Sequence, residues 1–305
     1  MKLGFPVAGK RYGPHVNGQQ PRGGGGNKVQ QVADELRRRV TDGTYPLQSS
    51  LPSQRDLVDE LGVSRETVKR ALRELEDEGW IATRPNSGSR VIKTQRIHTS
   101  AARAGRLGGV VTLGPFIGGA FEQEEVTLDV YTLTSETLDK HIRVQMERIQ
   151  NGLIAPRSIT LRMLLPDLTG PLPYPRVKDD PEDLRMRDRL RTITELYTAS
   201  LLETLDYLRT ENLVPSVDVR IRHTPLTPAF KLYLFNDAEV LHGMYEIVER
   251  PVSLGPDETI TALDALGLGT TLTHHEKTED PAAPGSVFVD GMRKWFDSVW
   301  NQLSV

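Results

Sequence analysis

The sequence predicts an α/β chain in two unequal parts: a small unit of three helices closed by a β-hairpin, then a larger mixed α/β domain. Three observations predict it. Between Leu51 and Val91, two capped helical patterns flank a tight turn and run into a hairpin pattern. From Leu107 onward, short β-branched runs alternate with long helical patterns, as in a mixed α/β layer structure. Charge divides at the same place. Residues 1–27 hold four cations and no acid, residues 28–92 hold eleven of each, and residues 93–106 add four cations, so that residues 107–305 carry −11 within an overall net charge of −3.

Taken in order, residues 1–27 include Gly23–Gly26 and offer no apolar face, so they read as a disordered basic arm. Such an arm is either an untethered tail or an extension that can lie in a minor groove. Lys28–Thr41 places Val29, Val32, Ala33, Leu36 and Val40 on one helical face, which leaves Arg37, Arg38 and Arg39 for solvent or for phosphates. Ser53 with Asp56 three residues on predicts an N-cap with an acidic first turn. Leu57, Val58 and Leu61 share a face, and Gly62 supplies the left-handed residue that ends the helix. Ser64 then caps a helix whose Val68, Ala71, Leu72 and Leu75 follow the i, i+3, i+4, i+7 spacing, up to Gly79. Trp80–Thr83 and Ser89–Ile92 flank Pro85-Asn86-Ser87-Gly88 as a small hairpin. Residues 93–106 are basic and aperiodic, which marks a linker to the domain at 107–305.

Helix, turn, helix and wing is the arrangement that lays a capped helix, with donors in its first turns, into a major groove. The implied partner is double-stranded DNA, and the acidic region beyond residue 106 would be repelled by it. At these residues the chain resembles the winged helix-turn-helix regulators of the GntR type. The likeness rests on Leu51-Pro52-Ser53-Gln54-Arg55, Gly62-Val63-Ser64-Arg65, Thr67-Val68-Lys69, Ala71-Leu72, Glu78-Gly79 and the wing glycine Gly88, and it covers Lys28–Ile92. The resemblance implies DNA contacts from Arg55, Ser64, Arg65, Thr67, Lys69, Arg70 and Gly88. Three positions depart from it: Gln48 replaces a glycine, Lys69 a frequent arginine, and Asn86 the first wing glycine. Lysine lacks the fork that grips guanine at two points, so Lys69 is assigned to a phosphate. Asparagine tolerates the left-handed region, so the wing turn survives.

In the second domain the patterns predict strands at 110–113, 126–133, 159–165, 217–223, 230–235, 240–248 and 270–273. Helices are predicted at 136–152, at 181–209 with a break near Thr192, and at 287–303. This order, the hairpin around Asn236-Asp237 and the closing helix resemble a non-catalytic phospholipase D-like domain. Catalytic members of that superfamily use two His-x-Lys copies, one His attacking phosphorus while the other protonates the leaving group. Here His275 and Lys277 occur once, and Asp280 follows too early. No catalytic residue is assigned, and a DNA-tethered phosphodiesterase or nuclease is the alternative reading.

The absence of cysteine excludes disulfides and thiolate metal sites. His223, His242, His274 and His275 lack the spacing of a metal motif, so no metal is expected. Arg220 and Arg222 share one face of a strand, open either to an anionic effector or to pairing with acids such as Asp218. Neither a phosphate-binding G-x-x-x-x-G-K-[ST] loop nor a cofactor is expected. With no long apolar span and no leader pattern, the expected location is cytoplasmic, away from membranes. The sequence therefore reads as a transcriptional regulator of the repressor kind. It is expected to be a homodimer on a two-fold repeated operator, with residues 107–305 sensing a small-molecule effector or mediating assembly.

Overall fold

The computed structural model describes residues 24–41, 44–45, 49–77, 80–84, 88–91, 97–100, 113–255, 258–265, 267 and 270–305. The arm over 1–23, Gln48, the wing turn at Asn86, most of the linker and the strand expected at 110–112 lie outside them.

Helices α1 (Gly24–Thr41), α2 (Gln54–Leu61) and α3 (Arg65–Asp77) are followed by the antiparallel pair β1 (Ile81–Arg84) and β2 (Gly88–Val91). Helix α1 begins inside the glycine run assigned to the arm. The stripe Val29, Val32, Ala33, Leu36 and Val40 buries against Leu57, Val68, Ala71, Leu72 and Leu75, with Trp80, Ile81 and Val91 closing the same core. Amphipathic faces of this kind hold short helices that would not persist alone in water.

The second domain is built on a seven-stranded sheet in the order β3-β12-β9-β8-β4-β5-β7. Its strands are β3 (Ile97–His98), β4 (Glu125–Tyr131), β5 (Ser158–Pro166), β7 (Ser216–Thr224), β8 (Phe230–Phe235), β9 (Glu239–Met244) and β12 (Leu272–Glu276). Strands β4, β5 and β7 are parallel, joined by helices α5 (Glu136–Gln150) and α6 (Arg185–Thr210), while β4, β8, β9 and β12 run antiparallel in turn. A parallel pair needs a helical crossover, and the sequence provides one twice. Helices α4 (Leu113–Phe121), α5 and α6 cover one face through Phe116, Ile117, Leu138, Ile142, Leu201 and Leu205. Helix α7 (Pro284–Gln302) covers the other through Val289, Phe296, Val299 and Trp300. A separate three-stranded sheet, β10 (Ile247–Gly255), β11 (Glu258–Ala265) and β6 (Arg176–Val177), packs its Val252 and Ala262 with Met186 of α6.

Several expectations need correction. Helix α6 is unbroken at Thr192, whose hydroxyl donates to the Asp188 carbonyl at 3.0 Å, one turn back, and so stays within the helix. The strand expected over 240–248 is split at Tyr245 between β9 and β10, and the hairpin β10–β11 was not foreseen. Leu113 opens a buried helix instead of closing a strand, and the last strand sits at 272–276. The two arginines considered for an anion are occupied: Arg220 pairs with Asp218 at 2.7 Å, and Arg222 donates to the Trp300 carbonyl at 2.8 Å with its guanidinium over that indole. Beside them, Val305 and His223 exchange two backbone hydrogen bonds, 2.9 and 3.0 Å, along the outer edge of β7.

Two charge clusters fix the helices to their surroundings. Buried Asp129 on β4 accepts from Arg162 at 2.7 and 2.6 Å and from Arg293 of α7 at 3.4 Å, while the Arg162 guanidinium lies over the Phe296 ring. A buried carboxylate is tolerated only when paired in this way. Glu136, at the start of α5, receives Lys140 at 2.8 Å. Burial alone would push its carboxyl up, but Lys140, Arg37 of α1 and Arg189 of α6 together hold it down to about 2. Arg37 is itself buried, not left to solvent.

Two predictions follow from this packing. A Cβ added at Gly243 would meet the backbone carbonyl of Thr271 and, at 2.7 Å, the Leu272 side chain. Gly243→Ala is therefore expected to destabilise the second domain by ~1–3 kcal/mol, the range for overpacking, read as a lowered denaturant midpoint. Because the folded Glu136 carboxyl is depressed, the stability it contributes is complete above the ordinary glutamate range and is lost as pH falls toward about 2. In Glu136→Gln, the fall of stability between pH 4.5 and 2 should be shallower than in the parent protein.

Candidate nucleic-acid interface

The turn between α2 and α3 is set by three residues. Ser53 accepts from the Asp56 N–H at 3.2 Å while Asp56 accepts from the Ser53 N–H at 3.2 Å, a reciprocal cap at the start of α2. Gly62 ends that helix at φ +63°, its N–H donating to the Val58 carbonyl at 3.0 Å. A side chain in that conformation would be strained, which is why glycine stands there. Ser64 then caps α3: its hydroxyl accepts from the Thr67 N–H at 3.1 Å and lies 2.8 Å from the Thr67 hydroxyl. Ser64 and Thr67 are thus engaged with each other first, and any contact to a duplex from them is made by hydroxyls already oriented.

With the stripe Val68, Ala71, Leu72 and Leu75 buried against α1, the opposite face of α3 is fixed. Arg65, Lys69 and Arg73 are exposed on it and Arg70 is half-buried, while Arg55 is exposed on α2. None of these five cations makes a hydrogen bond or ion pair with any described residue. Arg39 on α1 behaves differently: it is held by Glu35 at 2.7 Å, by the Tyr45 hydroxyl at 2.9 Å and by Glu60, so it belongs to the scaffold. A charged side chain without an internal partner keeps its full electrostatic field for an incoming anion.

The wing is bound to this helix. The Thr83 N–H donates to the Glu76 carboxylate of α3 at 2.9 Å, and the Thr83 and Ser89 hydroxyls lie 3.0 Å apart across the hairpin. Leu51 donates to the Ser89 carbonyl at 2.8 Å and Val91 to the Ser49 carbonyl at 3.0 Å, so the segment entering α2 lies alongside β2. Gly88 is exposed at φ +72° opposite Arg84. Next to it Arg90 is exposed on β2, a residue that sequence reasoning passed over. The alternation in Gly88-Ser89-Arg90-Val91, with Val91 buried, was the signal that placed Arg90 outward. The structure therefore ties α2, α3 and β2 together, and each of the three carries an exposed arginine.

In the second domain the residues suspected of phosphodiester chemistry are not brought together. The His275 ring stacks on Phe288 at 3.9 Å, Lys277 pairs with Asp290 at 2.8 Å and Asp237 at 3.3 Å, and Asp280 accepts from the Ala282 N–H at 2.9 Å. Each member of the suspected phosphodiesterase set is used locally. Glu239, His274 and Glu276 bring donor atoms within 4.8 Å of one another and are the residues that could share a cation. Both nitrogens of His274 are nevertheless engaged, with Glu239 at 3.0 Å and with the Thr99 hydroxyl at 2.9 Å, so that β3, which lies inside the expected linker, is tied to the sheet. His242 of β9 lies beside this group, opposite Thr273 of β12 and with its ring 5.6 Å from that of Phe288, while His223 lies on the outer strand β7.

A capped helix pair at a glycine turn, with a cationic face that meets no partner among the described residues and an attached hairpin, defines a winged helix-turn-helix domain. Residues 28–91 match the bacterial regulatory proteins of the gntR family, and this segment is a GntR-type domain. The chain is 40% identical over 73 residues to the Exu regulon transcriptional regulator of Escherichia coli K12, covering 24% of this chain and 28% of that protein. It is 36% identical over 63 residues to the histidine utilization repressor of Klebsiella aerogenes, covering 21% and 26%. It thus spans about a quarter of the length of these relatives. Among solved structures, a GntR family transcriptional regulator from Listeria monocytogenes overlays with a TM-score of 0.22 at 20% identity, covering 40% of this chain and 82% of that one. The phospholipase D-like resemblance of the second domain finds no support in these matches. Among the described residues no helix is long and apolar enough to cross a membrane.

Arg65→Ala is expected to cost ~1–3 kcal/mol of discrimination between a cognate and a scrambled duplex. Lys69→Ala and Arg90→Ala should weaken both duplexes alike and lower the salt slope by about one. Titrations of each variant at several salt concentrations check this; if Arg65→Ala binds both duplexes as the parent does, α3 is not the reading helix.

Proposed function

We propose that the protein is a sequence-specific transcriptional repressor that acts as a homodimer in the cytoplasm, without catalytic activity or a cofactor. The observation that carries this reading is the exposed face of α3, whose cations have no partner among the described residues and stand beside a wing fastened to the same helix. Arg65 and the hydroxyls of Ser64 and Thr67 face base edges, while Arg55, Lys69, Arg70 and the backbone at Gly88 hold phosphates. The relatives named as regulators support the same reading. One recognition helix reads only a few base pairs, so two copies on a two-fold repeat are needed to select one site in a genome. Residues 107–305 then sense an effector or hold the copies together. In vitro selection from genomic fragments with the purified full chain should enrich an inverted repeat whose half-sites lie roughly 10 base pairs apart or a multiple of that. Enrichment of a single asymmetric half-site would overturn the two-fold assembly, and no enrichment would overturn the regulator.

A further inference from the structure

The exposed face of α3 is not uniformly cationic. Glu66, the second residue of the helix, is exposed in its first turn. With about 3.6 residues to a turn, it stands roughly opposite the buried stripe Val68, Ala71, Leu72 and Leu75, in one line with Lys69, Arg70 and Arg73. Lys69 and Arg70 flank that line one turn further on. In a helix laid into a major groove, the N-terminal residues of the outward face are the ones that meet base edges.

Two other acids of the same helix are used inside the protein. Glu74 lies 3.9 Å from Arg37 of α1, and Glu76 accepts from the Thr83 N–H at 2.9 Å. Glu66, by contrast, makes no hydrogen bond or ion pair with any described residue. It does not take even the pairing that helix geometry offers with Arg70, although an acid four residues before a base is the favourable order. An acid in the first turn complements the helix dipole, a role that the sequence of a bound duplex does not touch. Toward phosphates its charge is repulsive, so on a surface that binds DNA it weakens every complex in which nothing in the groove answers it.

We propose that Glu66 is a base-reading residue that selects cytosine in each half-site, its carboxylate accepting from the cytosine N4 amino group in the major groove. The four base edges differ in what they show there. Guanine presents acceptors at O6 and N7, thymine an acceptor at O4, and adenine sets its N7 acceptor beside its N6 donor, whereas cytosine offers a donor alone. An ionised carboxylate only accepts, so it is drawn to the cytosine edge and repelled by guanine at the same place. The inference rests on the placement of α3 in the groove proposed above, and it adds what the cations do not supply. Arginine and lysine are drawn to the phosphates of any duplex, while Glu66 penalises each duplex that lacks the matching donor, which is discrimination by exclusion.

The test is selection from a random-sequence duplex library, followed by sequencing, with the full chain as parent, Glu66→Ala, Glu66→Gln and Arg65→Ala. The parent's half-site should hold a cytosine whose preference falls at least about fivefold in Glu66→Ala, the low end for one mismatched base pair. Glu66→Gln, whose amide both donates and accepts, should move that same position toward adenine. On a scrambled duplex Glu66→Ala should bind tighter than the parent by about twofold or more, the scale of one repulsion removed at several ångströms in water. A helix-dipole role alone would lower the melting temperature and leave every base preference as it was, and that result overturns the inference. If both Glu66 variants keep the parent's preferences while Arg65→Ala alters them, Glu66 reads nothing and α3 remains the reading helix. If Arg65→Ala keeps them as well, the placement of α3 is wrong and this inference falls with it. A parent that enriches no site sinks the regulator and the inference together.

Discussion

The burial of one stripe of α3 is the interaction on which the DNA-binding domain depends. Val68, Ala71, Leu72 and Leu75 can leave water only by packing on α1, and once they do, every other direction around α3 is decided. Arg65, Lys69 and Arg73 point outward because the inward side is taken, and no hydrogen bond or ion pair to a described residue holds them. The caps at Ser53 and Ser64 and the left-handed Gly62 fix where each helix starts and stops, and Glu76 transmits the position of α3 to the wing. The exposed face of α3 is thus set by its backbone, and its cations meet no hydrogen-bond or ion-pair partner among the described residues.

The second domain solves a different problem. Its sheet is buried on both faces, and each face carries polar groups that must be matched. Asp129, Arg162 and Arg293 meet this need on the α7 side, where a carboxylate in the central strand shares its oxygens between two guanidinium groups and one of these also lies over an aromatic ring. Such a cluster specifies how α7 seats on the sheet, since any slide along its axis would leave Asp129 buried without one of its donors.

Local signals were read correctly where the physics is local. Caps, glycine turns and the four-residue apolar stripe gave α2, α3 and the two strands of the hairpin almost residue by residue. The second domain was legible as alternating strands and helices, but the hairpin β10–β11 was not. Glu249, Arg250 and Pro251 interrupt any simple apolar alternation, and the strand is held by partners across the hairpin and by the Arg250–Asp264 pair. Helix α4 was missed because Leu113–Phe121 is apolar all round and rich in glycine, so its period is hidden and only burial between sheet and α5 stabilises it. Arg37 was open to solvent or to phosphates in its local pattern, and it is instead buried, 3.9 Å from Glu74 of α3, a contact between helices that no local pattern reveals.

The edges of the large sheet carry a consequence of their own. At one end β3 is two residues long. At the other, β7 is lined by Arg220 and Arg222 and has its backbone at His223 already taken by Val305. An open strand edge is a template for a strand of another molecule, and shortening, charging or occupying it removes that template. Continuous sheet extension between copies is therefore discouraged at the β7 end. Contacts between copies at the β7 edge would have to be made by side-chain surfaces, where register is set by shape and not by backbone repetition.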